Sequence, residues 1–376
     1  MKKLLKNIAG GLGGMVIGFG IVWLIIALID NGETNVKEDK DIDWMLMAAS
    51  MALSMFFLVI CGILQTILHE AGHLLGGFAT GYKMLSFRIF KYVLVNNGEC
   101  LRWKRYNISG TMGQCIMVPS EKIKNDNIPY FWYNVGGVAV NVLLAVVSLI
   151  VLRFTDLGII SMSFFLMLTF TGLFLALMNG LPLTVNGLSN DGRNIIILAR
   201  KPEMRLHFLN MMRIAGEMSG GHRLKDMPGE WFTDEPVKNV KDYFILSSRV
   251  TYMSLLEDKG NLDKAREIAE ELMTFGKKLP QIFALEVGTE NVMLELMTTN
   301  RRDIVEKLWN KQLQRYTSAN SKYSPMKFAV LYAVELIHNN NKEKAETYRQ
   351  KLEKNMDNFT MPGEAKTALK LITRIA

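Results

Sequence analysis

Ile67–Gly77 reads ILHEAGHLLGG, and its centre, His69-Glu70-x-x-His73, decides how the rest of the chain is read. Four residues of helix turn through about 400°, so both imidazoles share one face and can grip one metal ion with the glutamate beside them. This is the HExxH spacing of zinc hydrolases. The preceding residues, Trp44–Leu68, contain no charged side chain. The site is thus offered at the end of a membrane-length apolar helix rather than in a soluble cleft. The competing reading is a packed, hydrogen-bonded histidine pair without metal. Ionisable groups in hydrocarbon are costly, however, and rarely kept without a task.

Toward the N-terminus, Lys2, Lys3 and Lys6 precede an apolar run, Ile8–Ile29, that is long enough to span a bilayer and is followed by no small-x-small cleavage pattern. It reads as a retained transmembrane helix (residues 1–29) rather than a cleaved signal. Residues 30–43 carry six acidic side chains against Lys37 and Lys40, and the bias of Lys and Arg places the N-terminus inside and this loop outside. The second span, about 44–78, then runs inward and delivers the HEAGH stretch near the cytoplasmic face. Tyr82–Ile128 carries strand-like segments, SFRIFKYVLV and ECLRW, among many basic residues, which predicts a small cytoplasmic β-containing loop. Such a loop is either an edge that pairs with an extended peptide substrate or a solvated β-structure. A third span, 131–154, opens with GGVAVN (Gly136–Asn141), where paired glycines permit close helix approach and Asn141 needs a polar partner. A fourth, 159–181, returns after a very short connection.

That return brings MNGLPLTVNGLSNDGRN (Met178–Asn194) to the depth of the HEAGH stretch. HExxH supplies only two ligands, and catalytic zinc takes a third plus an open position for water. Asp191 is the only acidic side chain between Asp156 and Glu203, and Asp156 falls at the opposite face. Asp191 is therefore the candidate third ligand, with Glu203 and His207 as substitutes. The alternative is that it caps a helix beginning at Gly192.

HEAGH at the end of one span, GGVAVN opening the next, and NGLP followed by NDG after the last resemble the three signature regions of the site-2 protease family of intramembrane zinc metalloproteases. The resemblance covers about Trp44–Asn194. It implies His69, His73 and Asp191 as Zn2+ ligands, Glu70 as catalytic base, and Asn141 as a residue near the site that holds substrate backbone. Val138 stands where the family usually has proline, and Asn190 where it has leucine, with Asp191 further from Pro182 than usual. The expected activity is hydrolysis of peptide bonds in or near transmembrane segments of membrane proteins or signal-peptide remnants. The alternative is a catalytically silent membrane adaptor.

The remainder reads as soluble. Residues 201–240 form a polar connector punctuated by Pro228 and Pro236. Residues 241–376 read as helices with a repeat near forty residues: LLEDKGNLDKA (Leu255–Ala265), ELMTTNRRDIV (Glu295–Val305) and ELIHNNNKEKA (Glu335–Ala345) align. A fixed period of this length signals stacked helical hairpins resembling tetratricopeptide units, a possible surface for a cytoplasmic protein partner. With 376 residues, 49% hydrophobic, and a net charge of +8, part of the chain belongs in lipid, and the basic excess suits a membrane protein without nucleic acid. Cys61, Cys100 and Cys115 lack paired spacing and read as free thiols. The expected fold class is mainly α: a four-helix transmembrane metalloprotease core (44–200 plus the first span) with a small cytoplasmic β-containing loop, followed by a helical-repeat domain. The expected location is a bacterial plasma membrane with both termini cytoplasmic.

Overall fold

The computed structural model describes residues 44–96, 98, 100–106, 111–185 and 188–376. The expected first span and the acidic loop lie outside the described residues. The chain divides into two units. The first takes the described residues up to Thr80 with Phe131–Leu183 and Asn190–Ile195; the second takes Gly81–Tyr130, Thr184–Ser189 and Ile196–Ala376.

In the first unit, helix α1 (Trp44–Ala79) runs unbroken through the HEAGH stretch, since no proline or charge interrupts its apolar run before His69. It packs against α2 (Phe131–Phe154) and α3 (Ile159–Gly180), which also pack on each other. All three are long and apolar enough to cross a membrane. Their outer faces carry large exposed apolar side chains such as Phe56, Val59, Leu143, Ile150 and Ile160, the surface that hydrocarbon rather than water would cover. Glycines set the spacing of α1 and α2. A Cβ on Gly72 would lie 2.3 Å from the Gly136 carbonyl oxygen, and one on Gly76 would lie 2.1 Å from that of Trp132. The two backbones therefore touch, which any larger side chain forbids.

In the second unit, strands β1 (Tyr82–Ile89), β2 (Tyr92–Asn96), β3 (Leu101–Arg105) and β4 (Gly113–Pro119) form an antiparallel sheet of order β3-β2-β1-β4. Ser86 faces Val95 on one side and Ile116 on the other, and the β1–β4 register shifts between Met84 and Ser86. The basic loop thus has the expected strands, but it belongs with the C-terminal helices rather than with the core assigned to 44–200. Lys104 donates to the Phe359 carbonyl, Tyr106 meets Tyr323 edge to face, and Val118 packs onto Gly216. After α3, a short ribbon of β5 (Thr184–Val185) and β6 (Leu188–Ser189) leads to α4 (Asp191–Arg200).

Residues 201–240, expected as a connector, hold a sixteen-residue helix, α5 (Met204–Ser219). Met204, Phe208, Leu209 and Met212 recur at helical spacing and are buried, so a 3.6-residue period outweighs the prolines downstream. Beyond it come α6 (Tyr243–Lys259), α7 (Leu262–Met273), α8 (Gln281–Met297), α9 (Arg302–Leu308), α10 (Lys311–Asn320), α11 (Met326–Ala333), α12 (Lys342–Asn355) and α13 (Pro362–Ile375). Three hairpin turns in this series carry a left-handed residue at forty-residue intervals: Gly260 (φ 85°), Asn300 (φ 48°) and Asn340 (φ 50°). The second helix of each hairpin follows two residues later, at Leu262, Arg302 and Lys342. Their shared core includes Leu246, Met253, Leu272, Val292, Leu352 and Ile372.

Candidate metal centre

Helix α1 sets His69 and His73 one turn apart, and their rings meet nearly at right angles. The two Nε2 atoms lie 3.1 Å apart. Asp191 Oδ2 lies 3.2 Å from the first and 3.3 Å from the second. Among the described residues this is the one group of three or more His, Cys, Asp or Glu side chains within metal-binding reach of one another. Glu203 and His207 lie outside it; His207 bonds Ser248 instead, at 2.9 Å. Glu70 is buried in the same turn of α1 and close enough to act electrostatically on His73. Cys61 and Cys115 are buried and Cys100 is exposed, and none of them joins this group.

The opposite side of each ring decides its proton. His69 Nδ1 meets Asn141 Oδ1 at 2.6 Å, and His73 Nδ1 meets the Tyr133 carbonyl oxygen at 2.7 Å. Both partners can only accept, so each Nδ1 carries a hydrogen and donates it. In the neutral rings both Nε2 atoms then present bare lone pairs to one another and to the carboxylate. Asp191 Oδ2 is buried and accepts no hydrogen bond. Three lone pairs converging inside 3.3 Å repel, and one added proton relieves a single edge of that triangle. A divalent cation relieves all three. The edges also match the ligand separation of a tetrahedral zinc site, about 3.3 Å for bonds of about 2.0 Å.

Two more features fit a metal. A Cβ on Gly137 would lie 2.6 Å from His69 Cε1 and 2.7 Å from both Nε2 atoms, so glycine keeps open the space against the nitrogens. On the other wall, a Cβ on Gly192 would lie 2.0 Å from the Gly180 carbonyl oxygen, which seats the start of α4 directly on the end of α3. Asn190 fixes that junction. Its Oδ1 accepts from the backbone N–H of Leu183 (3.1 Å) and Arg193 (3.0 Å), and its Nδ2 donates to the carbonyls of Met178 (2.7 Å) and Leu181 (2.6 Å). Asn190 rather than Asp191 therefore caps α4, leaving the Asp191 carboxylate for the histidines.

Asn141, expected beside the site, is fully buried with both ends of its amide engaged. Its Oδ1 accepts from His69, while its Nδ2 donates to the Gln65 backbone carbonyl (3.0 Å) and to Gln65 Oε1 (2.7 Å). Gln65 and Asn190 were not singled out in the sequence. Gln65 lies four residues before His69, on the same helix face, in a run otherwise free of long polar side chains, and that spacing is the signal that marks it.

No family model, no curated protein and no solved structure matches the chain.

Proposed function

We propose that the chain is an integral membrane zinc metalloendopeptidase of the site-2 protease type, cutting peptide bonds in or near transmembrane segments. One observation carries this reading: two imidazole nitrogens and a carboxylate oxygen converge within 3.3 Å, each ring turning its Nδ1 away to an oxygen acceptor, at the end of helices of membrane-spanning length. His69, His73 and Asp191 are the residues that would hold the ion. When bound, zinc lowers the pKa of a coordinated water to about 7 and polarises a scissile carbonyl. The rest is done by the chain. Asn141 and the Tyr133 carbonyl hold the two imidazoles in the tautomer that turns Nε2 inward. Gly137 leaves room for water and peptide against them. Glu70 takes the proton of the attacking water and hands it to the leaving amine, general base and then general acid. Burial of the cluster, with His69 at 6% and His73 at 7% exposure, excludes bulk water and strengthens every charge interaction inside.

A helical substrate hides its carbonyls in hydrogen bonds and must unwind before attack, so membrane segments containing Gly or Asn are the preferred class. The recurring hairpins of the second unit resemble tetratricopeptide units and offer a surface for a protein partner on the cytoplasmic side. The test is metal content and cleavage of a co-expressed membrane substrate. Wild type should carry about one zinc per chain, His69→Ala and Asp191→Ala should lose it, and Glu70→Gln should keep it while losing at least about a hundredfold in cleavage. Metal-free wild type whose stability is indifferent to chelation would leave a membrane adaptor as the better reading.

A further inference from the structure

Gln65 is fully buried in an apolar helix, where an unsatisfied amide costs several kcal/mol. Its Nε2 donates to the Leu168 backbone carbonyl on α3 at 3.0 Å, and its Oε1 accepts from Asn141 Nδ2 on α2 at 2.7 Å. Space for that amide is kept by Gly172, where a Cβ would lie 2.6 Å from Gln65 Nε2.

The chain of bonds has a fixed direction. A backbone carbonyl can only accept, so Gln65 must turn its NH2 toward Leu168 and its oxygen toward Asn141. That oxygen can only accept, so Asn141 must turn its own NH2 toward Gln65 and its oxygen toward His69. An oxygen facing His69 Nδ1 at 2.6 Å requires the hydrogen there, which leaves Nε2 bare. Reversing Gln65 would set oxygen against oxygen at Leu168 and NH2 against NH2 at Asn141, and reversing Asn141 would set its oxygen against both Gln65 oxygens and its NH2 against His69 Nδ1.

We propose that Gln65 is a positioning residue which, through Asn141, holds the His69 imidazole with its hydrogen on Nδ1 and its Nε2 lone pair toward the metal. The inference rests on the zinc-site reading above and adds to it that metal affinity is tuned from α3, across two helices. Asn141 keeps a second acceptor, the Gln65 backbone carbonyl, so removing the Gln65 amide loosens the orientation of Asn141 without abolishing it.

The experiment compares wild type, Gln65→Met, Asn141→Ala and the double variant as full-length chains in detergent, measuring zinc affinity by competition with a chromophoric chelator. Loss of an outer-shell partner commonly weakens metal binding 10–100-fold. Gln65→Met is expected to lose about tenfold and Asn141→Ala about a hundredfold. The double variant should match Asn141→Ala, since the relay is already cut at its middle. Affinity of Gln65→Met within about twofold of wild type, or losses that simply multiply in the double variant, would overturn the relay. In that outcome a wild type still holding about one zinc leaves the protease reading standing. A second readout does not depend on metal. In 15N-histidine spectra of the metal-free protein, His69 should show its hydrogen on Nδ1 in wild type and a tautomer mixture in Gln65→Met, a change that mere loss of packing would not produce. If wild type takes up no zinc, these spectra decide the relay by themselves.

Discussion

Asp191 beside the apolar helices and Glu257 among the C-terminal helices both hold buried carboxylate oxygens lacking a hydrogen-bond donor, Oδ2 in the first and both oxygens in the second. Their surroundings differ. Asp191 faces two imidazole Nε2 atoms whose rings turn Nδ1 toward the Asn141 oxygen and the Tyr133 carbonyl. Glu257 faces other acids: Glu290, Glu364 and Asp258 all act on it. Of the basic side chains in this unit, Arg223 pairs with Asp258 and Lys327 with Glu286. Mixed nitrogen and oxygen donor atoms within 3.3 Å make a group that could hold a cation. Carboxyls crowded together are neutralised by keeping their protons. The difference teaches that burial of ionisable groups is not by itself a sign of a metal; the types of donor atom and the positions of the hydrogens decide.

The sharpest way to break the comparison is to fill the space at one cluster only. Gly137→Ala would place a methyl group 2.7 Å from both Nε2 atoms, well inside contact distance. Zinc content should fall from about one per chain to below about a tenth, with cleavage falling at least about a hundredfold. Gly158→Ala, where an added Cβ meets nothing within 4 Å, should change neither. Full zinc occupancy in Gly137→Ala, measured by elemental analysis, would show that the open space is not part of the metal site.

The second cluster should respond to pH and not to chelators. Burial, and then the neighbouring Glu286, push the Glu290 carboxyl from 4.5 up to about 8. Glu257 and Glu364 are raised as well, chiefly by burial. A carboxyl with a raised folded-state pKa binds more protons in the folded chain than in the unfolded one between those two values. Stability is therefore full below about 4.5 and is lost as pH rises through about 8. The slope is at most about 1.4 kcal/mol per pH unit for one group, and less for Glu290, whose residue is only partly buried. Amide exchange in Gln281–Met297, corrected for the chemical rate, should show protection falling from pH 6 to 9, and Glu290→Gln should flatten that fall. Glu290 and Glu364 line a cavity of about 270 Å³ with Met211, Met218, Met326 and Met361, so water can reach their ionised form locally. Protection independent of pH would mean the acids are already ionised and paired, and the contrast with Asp191 would weaken.

How much of this was legible in the sequence follows from the range of the interaction each residue makes. His69, Glu70 and His73 are local, fixed by helical spacing, and Asp191 stood out because its stretch holds no other acid. Gln65 and Asn190 were passed over because their partners, Leu168 and Asn141 for one and Met178 and Leu183 for the other, are revealed only by how the helices pack and turn. Basic residues in Tyr82–Ile128 marked a polar segment between apolar spans and said nothing about the C-terminal helices on which the sheet packs. The forty-residue period was visible because each hairpin needs the same backbone turn, and turns restrict sequence more tightly than helix faces do.

The smallest expected effect concerns what glycine does in each region. At Gly137 it supplies space, at a φ that other residues adopt; at Gly260 it supplies a left-handed φ of 85° at the end of α6. Asn300 and Asn340 occupy the equivalent places with φ of 48° and 50°, a region asparagine tolerates and glycine enters without strain. Gly260→Ala should destabilise the chain by about 1 kcal/mol, because the methyl group must be held at positive φ. The added Cβ would also come within 2.8 Å of Arg374 Nη1, the mobile end of a side chain that can shift. Asn300→Gly and Asn340→Gly should each lie within about 0.5 kcal/mol of wild type, since relief of strain is offset by greater freedom of the unfolded chain. Denaturant midpoints that put Gly260→Ala level with the two asparagine variants would show that the three turns are not equivalent, and that the forty-residue recurrence lacks a common backbone cause.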